Sequence, residues 1–383
     1  MTYLDHNAST PVRPEVTQAL AALLASTGAN PSSLHGDGQA VRAVVEHARR
    51  EVAALVHARP EDVAFTSGGT EADHLALVGG AWALRERGRR VAISTVEHHA
   101  VHGAAEWLVE LGFTVEHLPC DRSGIVDPAR IDALPADTTL VALMLANNET
   151  GVIQPVADAT ARAHARGMRV HCDAVQAVGK IPVDLSALDV DYLALSAHKF
   201  GGMKGAGALI TRRDAPLAPL FRGSAQERGR RAGTENVPGI RALGFASALA
   251  TRELAEQSTR WRELRRRFET GLRERVPDAV VHGESAPRLP NTVNFSVPGA
   301  RSDNLLMALD AHGVAVSAGA ACASGAVEPS PVLTAMGVPR ELAVCALRVS
   351  FGHPTTEGDI DAALAALAEV VPRVRAVTAG SPA

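Results

Sequence analysis

Short apolar runs alternate with amphipathic stretches along the first 234 residues. Runs at 63–67 (VAFTS), 90–95, 114–118, 139–146, 169–172, 192–196 and 205–211 are the length of buried strands, and several end on polar or charged residues. Between them, 15–24, 40–57, 101–111 and 156–166 carry apolar residues at helical spacing, as with Val41, Val44, Val45, Ala48, Val52 and Leu55. Residues 1–14 read as extended, 30–39 (NPSSLHGDGQ) as a loop, and 68–77 as a glycine-led turn into a helix. Strands alternating with helices predict an α/β fold built on a mostly parallel sheet.

The rhythm changes after Thr234. Residues 236–250 can form a helix, and 251–275 a long charged helix of the kind that links domains. Beyond it, short strands at 292–296, 314–317 and 346–350 mix with helices at 303–312 and 357–374. The expected division is a large α/β domain over 15–250 and a small α+β domain made of 1–14 and 251–383. A chain of 383 residues is long enough for both.

Composition narrows the classes. Hydrophobic residues make up 46% and charged residues 21%, which marks an ordered globular chain. A net charge of -4 and 3% aromatics give no surface for direct nucleic-acid binding. No run is apolar enough to span a membrane, and the N-terminus does not read as a signal peptide. The four cysteines (Cys120, Cys172, Cys322 and Cys345) form no C-x-x-C pair, so a cytoplasmic protein with reduced thiols and no resident metal is expected. Cys172 and Cys345 sit in or near apolar runs and read as inert core thiols. Cys322, among small residues in SAGAACASGAVEPSP, reads as an accessible reactive one.

Candidate chemistry gathers at strand ends, where ligands of parallel α/β sheets lie. Asp173 follows the run MRVHC and Lys199 follows DYLALSAH, one crossover unit apart. An Asp able to meet a pyridinium nitrogen and a Lys able to form a Schiff base are the pair that pyridoxal phosphate needs. Each has a plainer reading, an N-cap for Asp173 and a solvent-seeking strand-end lysine for Lys199. Gly69 and Thr70 in TSGGTE can meet a phosphate or simply cap a helix. His98 can stack on a ring, move protons or cap the next helix. Asn147 and Asn148 can bond a ligand or form a turn. Gln176 follows Asp173, Ser196 and His198 precede Lys199, and Thr234 sits in the basic loop RGRRAGTEN. Arg348, in the middle of the run ALRVSFG, wants a carboxylate, from a substrate or from the protein.

Taken together, YLDHNASTPV, TSGGTEAD, NNETGVIQPV, HCDAVQAVGK, SAHKFGGMKG, RAGTEN, SAGAACASGAVEPS and LRVSFG resemble the cysteine desulfurases, of the type with a long catalytic-cysteine loop that serves nitrogenase and general iron–sulfur assembly. The motifs occur in order from Tyr3 to Gly352. The resemblance implies a fold-type I pyridoxal 5′-phosphate transferase with a seven-stranded sheet, working as a homodimer. It implies Lys199 as the Schiff-base lysine and proton shuttle, Asp173 on the pyridinium nitrogen, His98 stacked on the ring, and Gln176 with Asn148 near the ring hydroxyl. Gly69, Thr70, Ser196 and His198 would hold the phosphate, helped by Thr234 of a second subunit. Arg348, with Asn148, would bind the substrate carboxylate. Cys322, on the small domain, would take sulfur from L-cysteine as a persulfide for an acceptor protein, and could transiently ligate an iron–sulfur cluster. The alternatives are a selenocysteine lyase or related class V aminotransferase, or a non-catalytic sulfur-relay partner.

Overall fold

The computed structural model describes residues 1–26, 28–212, 214–318 and 328–380. In chain order its strands are β1 (Thr2–Tyr3), β2 (Val63–Thr66), β3 (Arg90–Ser94), β4 (Thr114–Leu118), β5 (Thr138–Ala142), β6 (Arg169–Asp173), β7 (Tyr192–Ser196), β8 (Gly207–Thr211), β9 (Val280–Val281), β10 (Thr292–Ser296), β11 (Val314–Ala315) and β12 (Ala346–Ser350).

Seven of them form one sheet in the order β2-β8-β7-β6-β5-β3-β4. The pairs from β7 to β4 are parallel, and β8 runs antiparallel to both of its neighbours. Strands of a parallel sheet are covered on both faces, and alternate residues show it. Ala92, Val141, Val170, Cys172, Leu193 and Ile210 pack into one core. Val91, Ile93, Leu140, Ala142, Tyr192 and Leu209 pack into another, on the opposite face. At the edge, β8 lies close to the turn after β2. A Cβ on Gly207 would stand 2.7 Å from the backbone of Gly68, so only glycine fits there.

A second, three-stranded sheet has the order β12-β10-β9, all antiparallel. Its apolar face (Val293, Phe295, Leu347 and Val349) packs with Leu4, Phe268 and the helix Glu357–Gly380 in a separate core. The N-terminal segment joins this unit. β1 pairs with β11, and the bridge between Asp5 and Ser350 continues the contact onto β12.

Two helices and one strand differ from the sequence reading. Residues 236–250 and 251–275, expected as two helices, are one 39-residue helix, Val237–Arg275. Its first half buries Ile240, Leu243, Ala246 and Leu249 in the large core, and its second half buries Trp261, Leu264, Phe268 and Leu272 in the small one. Nothing in the sequence breaks it, because a charged stretch with helical spacing continues a helix as readily as it starts one. The helix expected at 40–57 begins at Gly36, inside the predicted loop, where the His35 side chain accepts from Gly38 N and caps the first turn. The strand expected at 139–146 has its regular part end at Ala142, although Leu143 N and Leu145 N still donate to His171 O and Asp173 O of β6 and Ala146 bridges Ile153.

Candidate active site

Four adjacent strands, β7, β6, β5 and β3, present their carboxyl ends side by side. Asp173 is the last residue of β6, Lys199 ends the short turn Ala197–Lys199 after β7, Asn148 follows β5, and His98 caps the helix after β3. The parallel register therefore brings residues from four distant stretches to one place. A cavity is lined there by Gly69, Thr70, Asp73, His98, Met144, Asn148, Asp173, Val175, Gln176, Ser196, His198 and Lys199. The Gly69 backbone lies tight against the Asp173 turn, since a Cβ on it would come 2.8 Å from Val175 Cγ2.

Lys199 does not seek solvent, since its Nζ donates to Asn7 O and Ala8 O, whereas Asp173 and His98 each accept a backbone N–H of the following turn and still line the cavity. Asp173 Oδ1 accepts from Val175 N at 2.8 Å. His98 Nδ1 accepts from Ala100 N at 3.1 Å, which leaves the ring proton on Nε2. Of the two asparagines, Asn147 is the turn former. Its Oδ1 accepts from Glu149 N and Thr150 N while its Nδ2 donates to Val96 O. Asn148 lines the cavity, and its buried Oδ1 has no partner among the described residues.

Burial sets the charges. It lowers Lys199 to about 8, with Arg348 adding to the effect and Asp173 and Asp5 opposing it. It raises Asp173 to about 6, against the pull of Val175 N and Lys199. Two more buried acids lie within electrostatic reach of Asp173. Burial raises Glu97 to about 8 even though its Oε1 accepts from Ser94 and Met144 N. Asp73 is raised well above the carboxylate range by burial and by Asp173 and Glu97. Three carboxyls in one low-dielectric region cannot all ionise. Beneath it His171 is lowered to about 3 by burial, so its 3.1 Å contact with Asp73 is a hydrogen bond rather than an ion pair. His98 and His198 are both lowered to about 4, chiefly by burial, and are neutral at neutral pH.

The N-terminal segment closes one side of the site. Asn7 O accepts from Lys199 Nζ at 2.7 Å and from Gln176 Nε2 at 2.9 Å. Asn7 Oδ1 accepts from Lys180 Nζ at 2.9 Å, and Lys180 also donates to Gln176 Oε1 at 2.6 Å. Asn7 Nδ2 reaches Thr292 on the small sheet. Arg348 projects from β12 into this junction, donating from NH2 to Asp5 Oδ1 at 2.7 Å and from NH1 to Asn148 O at 3.0 Å. Asp5, Asn7, Lys180, Glu97 and Asp73 had no role in the sequence reading. For all of these but Glu97, the one available signal was that YLDHNAST, HCDAVQAVGK and TSGGTEAD belong to the resembling motif set.

Thr234 is not brought to this cavity. It lines a separate opening with Thr66, Ser67, Gly205, Arg231 and Asn236. Cys322 lies outside the described residues. Cys172 and Cys345 are buried, and Cys120 is half-buried.

The donor set matches one kind of small molecule. Hydroxyls and an imidazole (Thr70, Ser196 and His198) suit a phosphate at one end. Asp173 suits a basic ring nitrogen, His98 offers a flat face, and Lys199 offers an amine of lowered pKa to a carbonyl. Pyridoxal phosphate carries all of these groups. Among the described residues no cluster of three or more His, Cys, Asp or Glu could hold a metal, and no helix is long and apolar enough to cross a membrane.

Comparison with known proteins agrees with this chemistry. Residues 2–363 match the family model described as aminotransferase class-V. A cysteine desulfurase from Cereibacter sphaeroides is 46% identical over 379 residues, which cover 98% of this chain and 97% of its own. The cysteine desulfurase IscS of Dictyoglomus turgidum is 42% identical over 377 residues, with 98% and 96% covered. The solved structure of a NifS-like protein superposes with a TM-score of 0.91 at 36% identity, covering 97% of this chain and 99% of its own.

Proposed function

From the premise that this chain belongs to the aminotransferase class-V family and is a cysteine desulfurase, we propose that it holds pyridoxal 5′-phosphate in the cavity between β3 and β7 and moves sulfur from L-cysteine to Cys322. The observation that carries the reading is that Lys199 and Asp173, from neighbouring strands, line one cavity together with His98.

Thr70, Ser196, His198 and the backbone at Gly69 would hold the phosphate. Asp173 would keep the ring nitrogen protonated, and a cation there would draw this raised carboxyl back to its charged form. His98, neutral and capped in place, would lie on the ring face. Gln176 and Asn148 would meet the ring hydroxyl. When bound, the cofactor supplies an electron sink that lets the α-proton and then the sulfur leave cysteine. Lys199 is suited to take that proton at Nζ, because a pKa of about 8 leaves part of the amine neutral at neutral pH. Arg348 would hold the substrate carboxylate. The Cys322 thiolate would attack the substrate sulfur; the C–S bond breaks, an S–S bond forms, and the products are L-alanine and a persulfide on Cys322. No outside oxidant is needed.

The persulfide would pass to an acceptor protein. The chain would work as a homodimer, which the separate position of Thr234 supports: a threonine that cannot serve its own cavity can serve the phosphate of a second copy. We also propose the division into a large unit over 15–250 and a small one made of 1–14 and 251–383, with a cytoplasmic location. The test is sulfide and L-alanine production from L-cysteine by the cofactor-loaded protein in the presence of dithiothreitol, the reductant that releases the persulfide sulfur as sulfide. Equal amounts of both are expected. Absence of cofactor binding, or alanine without sulfide, would overturn the reading.

A further inference from the structure

Each terminal nitrogen of Arg348 already has a partner: NH2 donates to Asp5 Oδ1 and NH1 to Asn148 O, while Nε is buried without a partner among the described residues. The guanidinium side chain is 6% exposed, whereas the Asp5 side chain is 21% exposed. A planar guanidinium binds a carboxylate through two adjacent donors in a fixed fork. A carboxylate that takes the NH1–NH2 fork meets the two groups already on it, Asp5 Oδ1 and Asn148 O.

The two partners are not equally replaceable. Asn148 O is a backbone atom that also accepts from Asn7 Nδ2, and the turn carrying it is pinned by Asn147. Asp5 is a side chain, the more exposed member of its pair, and has the same chemistry as the ligand. Its backbone is held apart from its carboxylate: Tyr3 Oη donates to Asp5 O at 3.1 Å, and the bridge to Ser350 anchors the residue on β12. Asp5 can swing away by rotation of its side chain while the chain stays in place. Keeping both carboxylates on one guanidinium would set like charges together in a largely buried site.

We propose that Asp5 is a stand-in for the substrate carboxylate, occupying Arg348 until an α-amino acid displaces it. The exchange keeps Arg348 paired at every stage and weakens the site for amino acids, so that L-alanine leaves more readily. This rests on the reading of Arg348 as the carboxylate-binding residue.

The test is calorimetric titration of the cofactor-loaded protein with L-alanine, beside the KM for L-cysteine. Asp5→Asn should tighten L-alanine binding and lower the KM by roughly threefold to tenfold, the scale of one competing ion pair. Asp5→Glu, which keeps the charge, should do neither, and the KM for cysteamine, which has no carboxylate, should not respond to Asp5→Asn. Unchanged or weaker L-alanine binding in Asp5→Asn, or an equal gain for cysteamine, would overturn the inference. Arg348→Lys separates the two levels. If it weakens L-alanine binding while Asp5→Asn fails to tighten it, only the stand-in role falls. If it leaves L-alanine binding unchanged, the reading of Arg348 falls and this inference with it.

Discussion

Lys199 Nζ lies 2.7 Å from the carbonyl oxygen of Asn7, and Asn7 is fixed by bonds to Lys180, Thr292 and Asn291. The reactive amine thus rests on a peptide held between the large sheet and the small one. Lys199→Ala should abolish sulfide release, by a factor of roughly 10² to 10⁴ if general acid–base chemistry is all that is lost. The variant should also lack the yellow colour of lysine-bound pyridoxal phosphate. Sulfide production with substantial turnover would show that another group carries the proton.

Cys322→Ala should keep that colour and the binding of L-cysteine, yet stop persulfide formation and sulfide release. Mass spectrometry of the unsubstituted protein after exposure to L-cysteine should find one added sulfur on the peptide containing Cys322. Full turnover by the variant would remove Cys322 from the mechanism.

Glu97 should make stability depend on pH. Its folded pKa of about 8 stands above the ordinary glutamate value of 4.5, so between these limits the folded chain keeps a proton that the unfolded chain releases. Stability from this group falls as pH rises through that window, by up to about 1.4 kcal/mol per pH unit, and is flat below it and above it. Glu97→Gln removes the titration while keeping an acceptor for Ser94 and Met144 N. Relative to the unsubstituted protein, the variant should gain stability from pH 5 to pH 8. Denaturant titrations of the cofactor-free protein at the two pH values check the sign.

Glu227→Ala should destabilise the fold by roughly 1–3 kcal/mol, because it leaves Phe65 N and part of the Arg49 guanidinium unpaired in a buried place, with Glu46 and Val63 O still on Arg49. Arg49 donates from NH1 and NH2 to the two oxygens of Glu227 at 2.7 and 3.0 Å, and Phe65 N donates to the same carboxylate. Glu227 and Arg228 both hold left-handed backbone, with φ of 46° and 56°. That conformation costs energy for residues other than glycine, and the buried ion pair holds it in place. Thermal unfolding should show the loss. A variant as stable as the parent would mean the pair is not what fixes this loop.

The chemistry was more legible in the sequence than its support. Asp173 and Lys199 could be placed because a parallel strand has to stop somewhere, and a charged residue at the stop is visible. β7 matches its expected bounds, residues 192–196, for the same reason. Asp5, Asn7 and Lys180 could not be placed. Their roles depend on which distant segments meet, and no local pattern marks a backbone carbonyl that will receive a lysine some 190 residues away. The uninterrupted helix Val237–Arg275 was read as two because its apolar stripe serves one core and then another, so the periodicity looks broken where only the partner changes.

That helix has a consequence for how the chain can vary. Each added residue turns an α-helix by about 100°. A single insertion near Glu256 would swing Trp261, Leu264 and Phe268 away from the strands they cover, whereas seven residues, close to two full turns, would nearly restore their phase. The connection behaves as a rigid axle whose length is quantised, and evolution can lengthen it only in steps that bring both cores back into alignment.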